Sequence, residues 1–314
     1  MISRVTQAMI RQQSITAVDG GLTKLTAAQL QLETGKKINV PSDDPTGTVV
    51  AMKSQAEIAA QQQYQRNAND GLAWLGTIDG ALTGIGTSLQ SAYTLAVQAS
   101  NTATLTPTSA TALAEEIDSI KQTVLSSANT QYLGRPVFGG TTTGSAAYAE
   151  DADTGQVTYT GNDGTISRRV GANTIVPVSL SNTSVFGPDS SAGTDVFTDL
   201  SNLSAALRSW TGTSADTVDG GAASVIQQSM TALKGDIQRV SGAQAQEGAY
   251  YNQITTAKNF LGSSILALQQ VNSDAVNVDV AQATINLQTQ STAYQAALAA
   301  TGKTAQQSLL DYLS

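Results

Sequence analysis

Both ends of the chain carry long patterns of apolar residues at helical spacing, and the middle does not. Apolar side chains recur at alternating three- and four-residue intervals over residues 1–130 and 201–314, which is the periodicity of an amphipathic helix. Residues 136–200 instead show short alternating segments between Gly-rich turns, as strands do. Because isolated helices are marginal in water, we expect the two ends to pair with each other and with neighbouring copies.

This pattern predicts a mainly α protein with a β-rich insert, in three parts. Residues 1–40 and 275–314 are expected to pair as long terminal helices in a coiled-coil-like bundle. Residues 41–135 and 197–274 are expected to form a second helical layer. Residues 136–196 form the predicted β domain, where Gly-Asn-Asp-Gly at 161–164 is typical of a hairpin turn.

Apolar positions of the two terminal helices are the candidate assembly interface. An ordinary monomeric helical bundle is the alternative interpretation, but the low charge and the placement of both chain ends in one layer favour assembly. The candidate positions are Ile2, Val5, Met9, Ile15, Val18, Leu22, Leu25, Leu32, Val278, Ile285, Leu298, Leu309, Leu310 and Leu313.

Composition narrows the class of protein further. Charged residues make up 13% of the 314 residues, about half the usual share, and a weakly charged surface desolvates cheaply against other protein. The net charge is −8 without a basic cluster, which argues against nucleic-acid binding. No apolar stretch approaches the ~18 residues of a membrane span, and the N-terminus lacks the apolar core of a cleavable secretory signal.

The chain contains neither cysteine nor histidine. Thiol nucleophiles, disulfides, thiolate metal sites and imidazole bases are therefore all excluded. The sequence predicts that the protein is not an enzyme and uses no cofactor.

Two acidic segments are candidate cation sites. The turn motif Pro41, Ser42, Asp43, Asp44, Pro45 interrupts the helical pattern, because proline disfavours helix in the residue before it. Its two carboxylates could bind a cation, but capping of the following helix is the favoured interpretation.

The second acidic segment begins at Asp151 and Asp153 and resembles the opening of a calcium loop. It lacks glycine at the sixth position and the bidentate glutamate at the twelfth, which are Gln156 and Asn162. A solvated turn is therefore favoured.

Specific motifs resemble the flagellin superfamily. Residues 30–47 read LQLETGKKINVPSDDPTG and residues 64–82 read YQRNANDGLAWLGTIDGAL, which are similar to the N-terminal signature of that family. Residues 272–314, ending in SLLDYLS, resemble its C-terminal signature. Within the superfamily, Trp74 and the segment YLGRPVFGGTTT at 132–143 resemble the hook-associated protein 3 branch, the hook–filament junction proteins.

The resemblance implies a mechanical role without turnover. It implies a thin ring of self-associated subunits that contacts the other hook-associated junction protein on the hook side and flagellin or other filament-side subunits beyond. It also implies export through the flagellar type III apparatus, an export chaperone for the C-terminal helix, and a final location on the extracellular flagellum. Flagellin itself is the nearest alternative, followed by an adhesin in which the insert binds, and then by an enzyme.

Overall fold

The computed structural model of the chain describes residues 7–187 and 195–313. Side chains are described for Met9 and, within these ranges, from residue 12 to residue 303. Over these ranges the helices are α1 (Gln7–Thr34), α2 (Pro45–Ala99), α3 (Pro107–Ala128), α4 (Asn182–Val185), α5 (Val196–Arg208), α6 (Ala222–Val276) and α7 (Val280–Leu313), with a 3₁₀ turn at Ser214–Thr217. The strands are β1 (Gln131–Tyr132), β2 (Arg135–Pro136), β3 (Tyr148–Glu150), β4 (Val157–Tyr159), β5 (Ser167–Arg169) and β6 (Ile175–Pro177).

The predicted fold class is confirmed, since long helices flank a small β-rich insert. Local chemistry sets the helix ends. Gly35 has φ +68° directly after α1, the left-handed conformation that commonly terminates a helix. Pro45 and Pro107 begin α2 and α3, where the missing N–H of proline is harmless. A capping box between Thr106 and Ser109 completes the start of α3.

The chain divides into two compact units. The first contains the residues up to Ala60 and from Ser263 onward, and the second contains Gln61–Gly262. In the first unit α1 and α7 pack side by side. They run antiparallel, because Lys36 bridges Asn277 while Gly21 lies against Tyr294.

The second unit has one continuous apolar core. Buried residues at three- and four-residue spacing on α2 meet side chains from α3, α5, α6 and the insert. The largest of the fully buried side chains are Trp74, Phe138, Phe186, Phe197, Leu75, Ile78, Leu82, Ile85, Leu89, Ile117, Leu200 and Leu203.

The insert consists of three separate antiparallel pairs, β1–β2, β3–β4 and β5–β6. The predicted hairpin turn at 161–164 is therefore wrong, because β4 pairs back with β3 and β5 pairs forward with β6. The amide oxygen of Asn162 instead accepts hydrogen bonds from the backbone N–H groups of Thr141 and Gly164, both at 2.9 Å. The polar turn residues thus organise a loop rather than a two-residue connection.

Trp74 attaches the insert to α2. Its ring and that of Tyr132 pack in an edge-to-face arrangement at a centroid distance of 5.5 Å, and the guanidinium carbons of Arg168 and Arg135 lie 5.9 and 6.0 Å from the centroid of Trp74. Arg168 Nε also donates to Asp70 Oδ2 at 2.6 Å. These contacts make Trp74 a packing residue that joins α2 to the insert.

Candidate assembly surface

The apolar stripe of α1 separates into two sets in the structure. The first set faces α7 and forms the seam between the two helices. Val18, Leu25 and Leu32 are half-buried at seven-residue spacing, and Ala28 is 8% exposed. On α7, Ala283 is 2% exposed. Seven-residue spacing with small residues between is the geometry of closely paired helices, so these positions stabilise the pairing within one chain.

The second set points away from the seam. Ile15 is 59% exposed, Leu22 is 46% exposed and Met9 is 57% exposed. On α7, Ile285 and Leu298 are 60% and 46% exposed. Single exposed apolar residues are ordinary on a protein surface, but repeated ones on paired helices form an apolar surface that suits contact with other protein.

Other predicted interface positions have different outcomes. Val278 is half-buried beside the backbone bridge, where its N–H donates to the carbonyl of Gly35 at 3.0 Å. Ile2 and Val5 lie outside the described residues. Leu309, Leu310 and Leu313 belong to α7, but their side chains lie outside the part of the chain whose side chains are described.

The structure also exposes apolar residues outside the predicted interface set. They occur on all four helices of the first unit: Leu30, Val49, Met52, Leu266 and Val280. Their exposed fractions range from 42% for Leu30 to 68% for Leu266. Leu30, Val49, Met52 and Leu266 lie off the phase of the buried stripe of their own helix, which was a signal in the sequence, whereas Val280 shares the phase of buried Ala283.

The turn motif links α1 to α2 through backbone hydrogen bonds. Asp44 Oδ1 accepts from the N–H of Gly47 at 2.9 Å, so its predicted role as a helix cap is confirmed. Asp43 instead closes the preceding turn, since its Oδ2 accepts from the N–H groups of Asn39 and Val40 at 2.9 and 3.0 Å. These backbone donors hold the pKa of both carboxyls below the ordinary value.

The second acidic segment is a solvated turn, as predicted. Asp151 Oδ1 accepts from the N–H groups of Asp153 and Thr154 at 3.0 and 2.8 Å, which lowers the pKa of the Asp151 carboxyl. Over the residues that the structure describes, no group of three or more acidic side chains is placed to hold a metal ion. Among those same residues, no helix is long and apolar enough to cross a bilayer.

Comparison with known families matches both ends of the chain. Residues 2–143 match the bacterial flagellin N-terminal helical region, and residues 230–313 match the bacterial flagellin C-terminal helical region. The two matches together include α1 to α3, most of α6 and α7. They therefore take in every helix that carries the candidate assembly surface.

Two relatives differ in how much of the chain they match. Flagellar hook-associated protein 3 of Escherichia coli strain K12 is 26% identical over 287 residues, which is 88% of this chain and 89% of that protein. A flagellin of Halalkalibacterium halodurans is 35% identical over only 102 residues, which is 31% of this chain and 38% of that protein. The hook-associated protein is thus similar through the insert as well as at the ends.

A solved structure supports the same fold. A flagellar hook-associated protein from Vibrio parahaemolyticus superimposes with a TM-score of 0.66 at 21% identity, covering 75% of this chain and all of that one. The terminal signatures, the full-length match and the shared fold agree with the resemblance of the turn motif and of Trp74. The chain belongs to the flagellin superfamily, and within it to the hook-associated protein 3 type.

Proposed function

We infer that this chain is a structural subunit of the bacterial flagellum that joins the hook to the filament. The observation that carries this inference is the match to a hook-associated protein over nearly the whole length of both chains. The flagellin match is shorter and covers a minor part of that relative. The role is mechanical: the subunit adapts one tubular lattice to another.

The terminal helices supply the contacts in this proposal. The seam residues Val18, Leu25 and Leu32 hold α1 on α7, and the exposed set on the same helices would pack against neighbouring copies in a ring. Residues 1–40 and 275–314 would form the inner polymerisation domain. Residues 41–135 and 197–274 would form the helical domain outside it, and residues 136–196 would face solvent. The exposed apolar residues Ile15, Leu22 and Ile285 support this assignment.

The proposed partners follow from the position of the ring. The other hook-associated junction protein would contact it on the hook side, and flagellin or filament-side subunits would contact it on the distal side. The chain would reach this place through the flagellar type III apparatus, with an export chaperone bound to the C-terminal helix. The apolar residues of the last turns, Leu309, Leu310 and Leu313, are what such a chaperone would cover.

Deletion of the gene tests the proposal. Electron microscopy of the deletion strain would be combined with an immunoblot for flagellin in the medium. Hooks that end bare, with flagellin lost to the medium as monomer, are the expected result. Bare hooks with no flagellin in cells or medium would make this chain the filament subunit instead. Filaments of normal number and length would refute a role at the junction.

A further inference from the structure

A carboxyl group on α6 is buried with only half of its hydrogen-bonding capacity used. Asp236 is 0% exposed, and its Oδ1 accepts from Arg239 Nη1 at 2.7 Å. Its Oδ2 is also buried and receives no hydrogen bond from an N–H or hydroxyl group. An ionised carboxylate with a dry, unsatisfied oxygen is costly. The surroundings of Asp236 therefore favour its neutral form.

A second buried carboxyl, from α5, completes the cluster. Asp199 is 5% exposed and lies within hydrogen-bonding reach of the Asp236 carboxyl. Two carboxyls that share a site do not both ionise readily, and one proton between them replaces repulsion with a hydrogen bond. With that proton, the two carboxyls and Arg239 sum to zero charge.

Burial and the neighbouring charge act on Asp236 in the same direction. Burial, followed by repulsion from Asp199, raises the pKa of Asp236 to about 7, although Arg239 opposes the shift. Because burial is the larger cause, the shift belongs to the folded state of the second unit.

Charged groups on the other neighbouring helices do not alter this balance. α2 carries no charged side chain between residues 80 and 99, and Tyr93 is its one titratable group there. α3 packs against α5, and its charged side chains are exposed or paired elsewhere: Glu115 and Glu116 are exposed, Asp118 pairs with Arg208, and Lys121 pairs with Glu150.

We propose that Asp199 and Asp236 form a proton-operated latch that holds α5 on α6. One shared proton closes the latch, and ionisation of both carboxyls opens it by placing two like charges in the apolar core. The stability of the second unit then depends on pH through this interior contact, independently of the assembly surface on the first unit.

The sign of the pH dependence follows from proton binding. An aspartate in the unfolded chain loses its proton near pH 4, whereas folded Asp236 keeps it to about pH 7. Between these limits the folded state binds more protons than the unfolded state, so stability falls as pH rises. Below about pH 4 and above about pH 7 this contribution is constant.

Another buried carboxyl, outside the latch, gives a pH dependence of stability with the same sign. Its effect must be measured separately from that of the latch. Glu247 on α6 is 5% exposed, and burial, followed by repulsion from Asp79, raises its pKa to about 7. It lies about three helical turns beyond Asp236, and its charged neighbour is Asp79 on α2. A Glu247→Gln variant therefore removes the contribution of one titrating group to the pH dependence of stability, while Asp199 and Asp236 remain unchanged.

The experiment is urea unfolding of the full-length monomer at intervals from pH 5 to pH 8, followed by tryptophan fluorescence. Both tryptophans, Trp74 and Trp210, are buried in the second unit, so the signal reports that unit. We expect the wild-type unfolding constant to rise by up to tenfold per pH unit for each retained proton. Asp236→Asn should reduce this pH dependence by up to tenfold per pH unit, the contribution of one proton. The control is Asp274→Asn, which replaces an exposed carboxyl on the same helix and should leave the pH dependence unchanged.

A direct titration keeps the proposal testable if Asp236→Asn folds poorly. Carbon-13 NMR of wild-type protein labelled at aspartate carboxyls should show one group that titrates near pH 7. Wild-type stability that is flat or rising from pH 5 to pH 7 would overturn the latch. The latch would also be overturned if a folded Asp236→Asn variant showed the same dependence of stability on pH as the wild type. The absence of any aspartate titrating above pH 6 in the wild-type NMR spectra would overturn it too.

Discussion

The two-set division of the α1 stripe predicts that assembly can be weakened while the monomer stays folded. The change is the double substitution Ile15→Ser and Leu22→Ser, at residues that are 59% and 46% exposed. Full burial of such a side chain contributes about 1.5–3 kcal/mol, and about half of that remains available to a partner. The pair would then contribute roughly 1.5–3 kcal/mol per subunit contact, or about ten- to a hundredfold in affinity.

The monomer should stay folded, although its free energy of unfolding should also fall. The part of each side chain that is already covered in the monomer contributes up to roughly 1.5–3 kcal/mol for the pair, and the helix propensity of serine adds only about 0.3 kcal/mol, since serine ranks beside isoleucine and slightly below leucine. The matched control is Gln29→Ser, because Gln29 is an exposed polar residue seven positions beyond Leu22. The control should leave both the monomer and its assembly unchanged.

The assay is complementation of the deletion strain at matched expression. Filaments per cell are counted by electron microscopy, and secreted subunit is measured by immunoblot, so that failed export is distinguished from failed assembly. We expect the double variant to be secreted in normal amount while the filament count falls steeply. Normal filament counts at low expression would refute the reasoning, because the exposed set would then contribute nothing to assembly.

Two further predictions concern the insert. Leu133 is 83% exposed and has φ +50°, a left-handed conformation that asparagine adopts more readily than leucine. Leu133→Asn should therefore raise the free energy of unfolding by about 1 kcal/mol in a urea titration. An unchanged or lowered value would show that leucine is not strained in this turn. A Cβ on Gly140, which has φ +64°, would lie 1.9 Å from the carbonyl oxygen of Asn162, so Gly140→Ala should cost about 2–4 kcal/mol. Gly144→Ala, whose Cβ would meet nothing closer than 3.8 Å, is the control and should be nearly neutral in the same titration.

Periodicity predicted the helices well, because it depends only on local spacing. The ends of α1, α2 and α3 follow from Gly35, Pro45 and Pro107, whose backbone preferences act within one or two residues. Pairing in the insert is decided by contacts between residues far apart in sequence. The turn signal at 161–164 could not show that Asn162 bonds to Thr141, 21 residues away.

The candidate surface was predicted in part for a similar reason. An apolar stripe on a helix shows that one face is covered, but not which partner covers it. Val18 and Leu22 belong to one pattern in the sequence, yet one is half-buried in the seam and the other is exposed. The sequence also did not indicate that the carboxyls at 236 and 247 are buried and pH-sensitive, because a charged residue within a helical pattern usually faces solvent.

The seam itself gives the complementary prediction to the surface variant. Leu25→Asp places a carboxylate among half-buried side chains of α1 and α7, where an uncompensated charge costs several kcal/mol. Since the second unit has its own core, its tryptophan fluorescence and unfolding midpoint should match wild type while filaments are lost. Loss of the tryptophan signal as well would mean that the two units fold as one. Normal filaments would mean that pairing of α1 with α7 is not required for assembly, which would also remove the physical basis for assigning assembly to the chain ends.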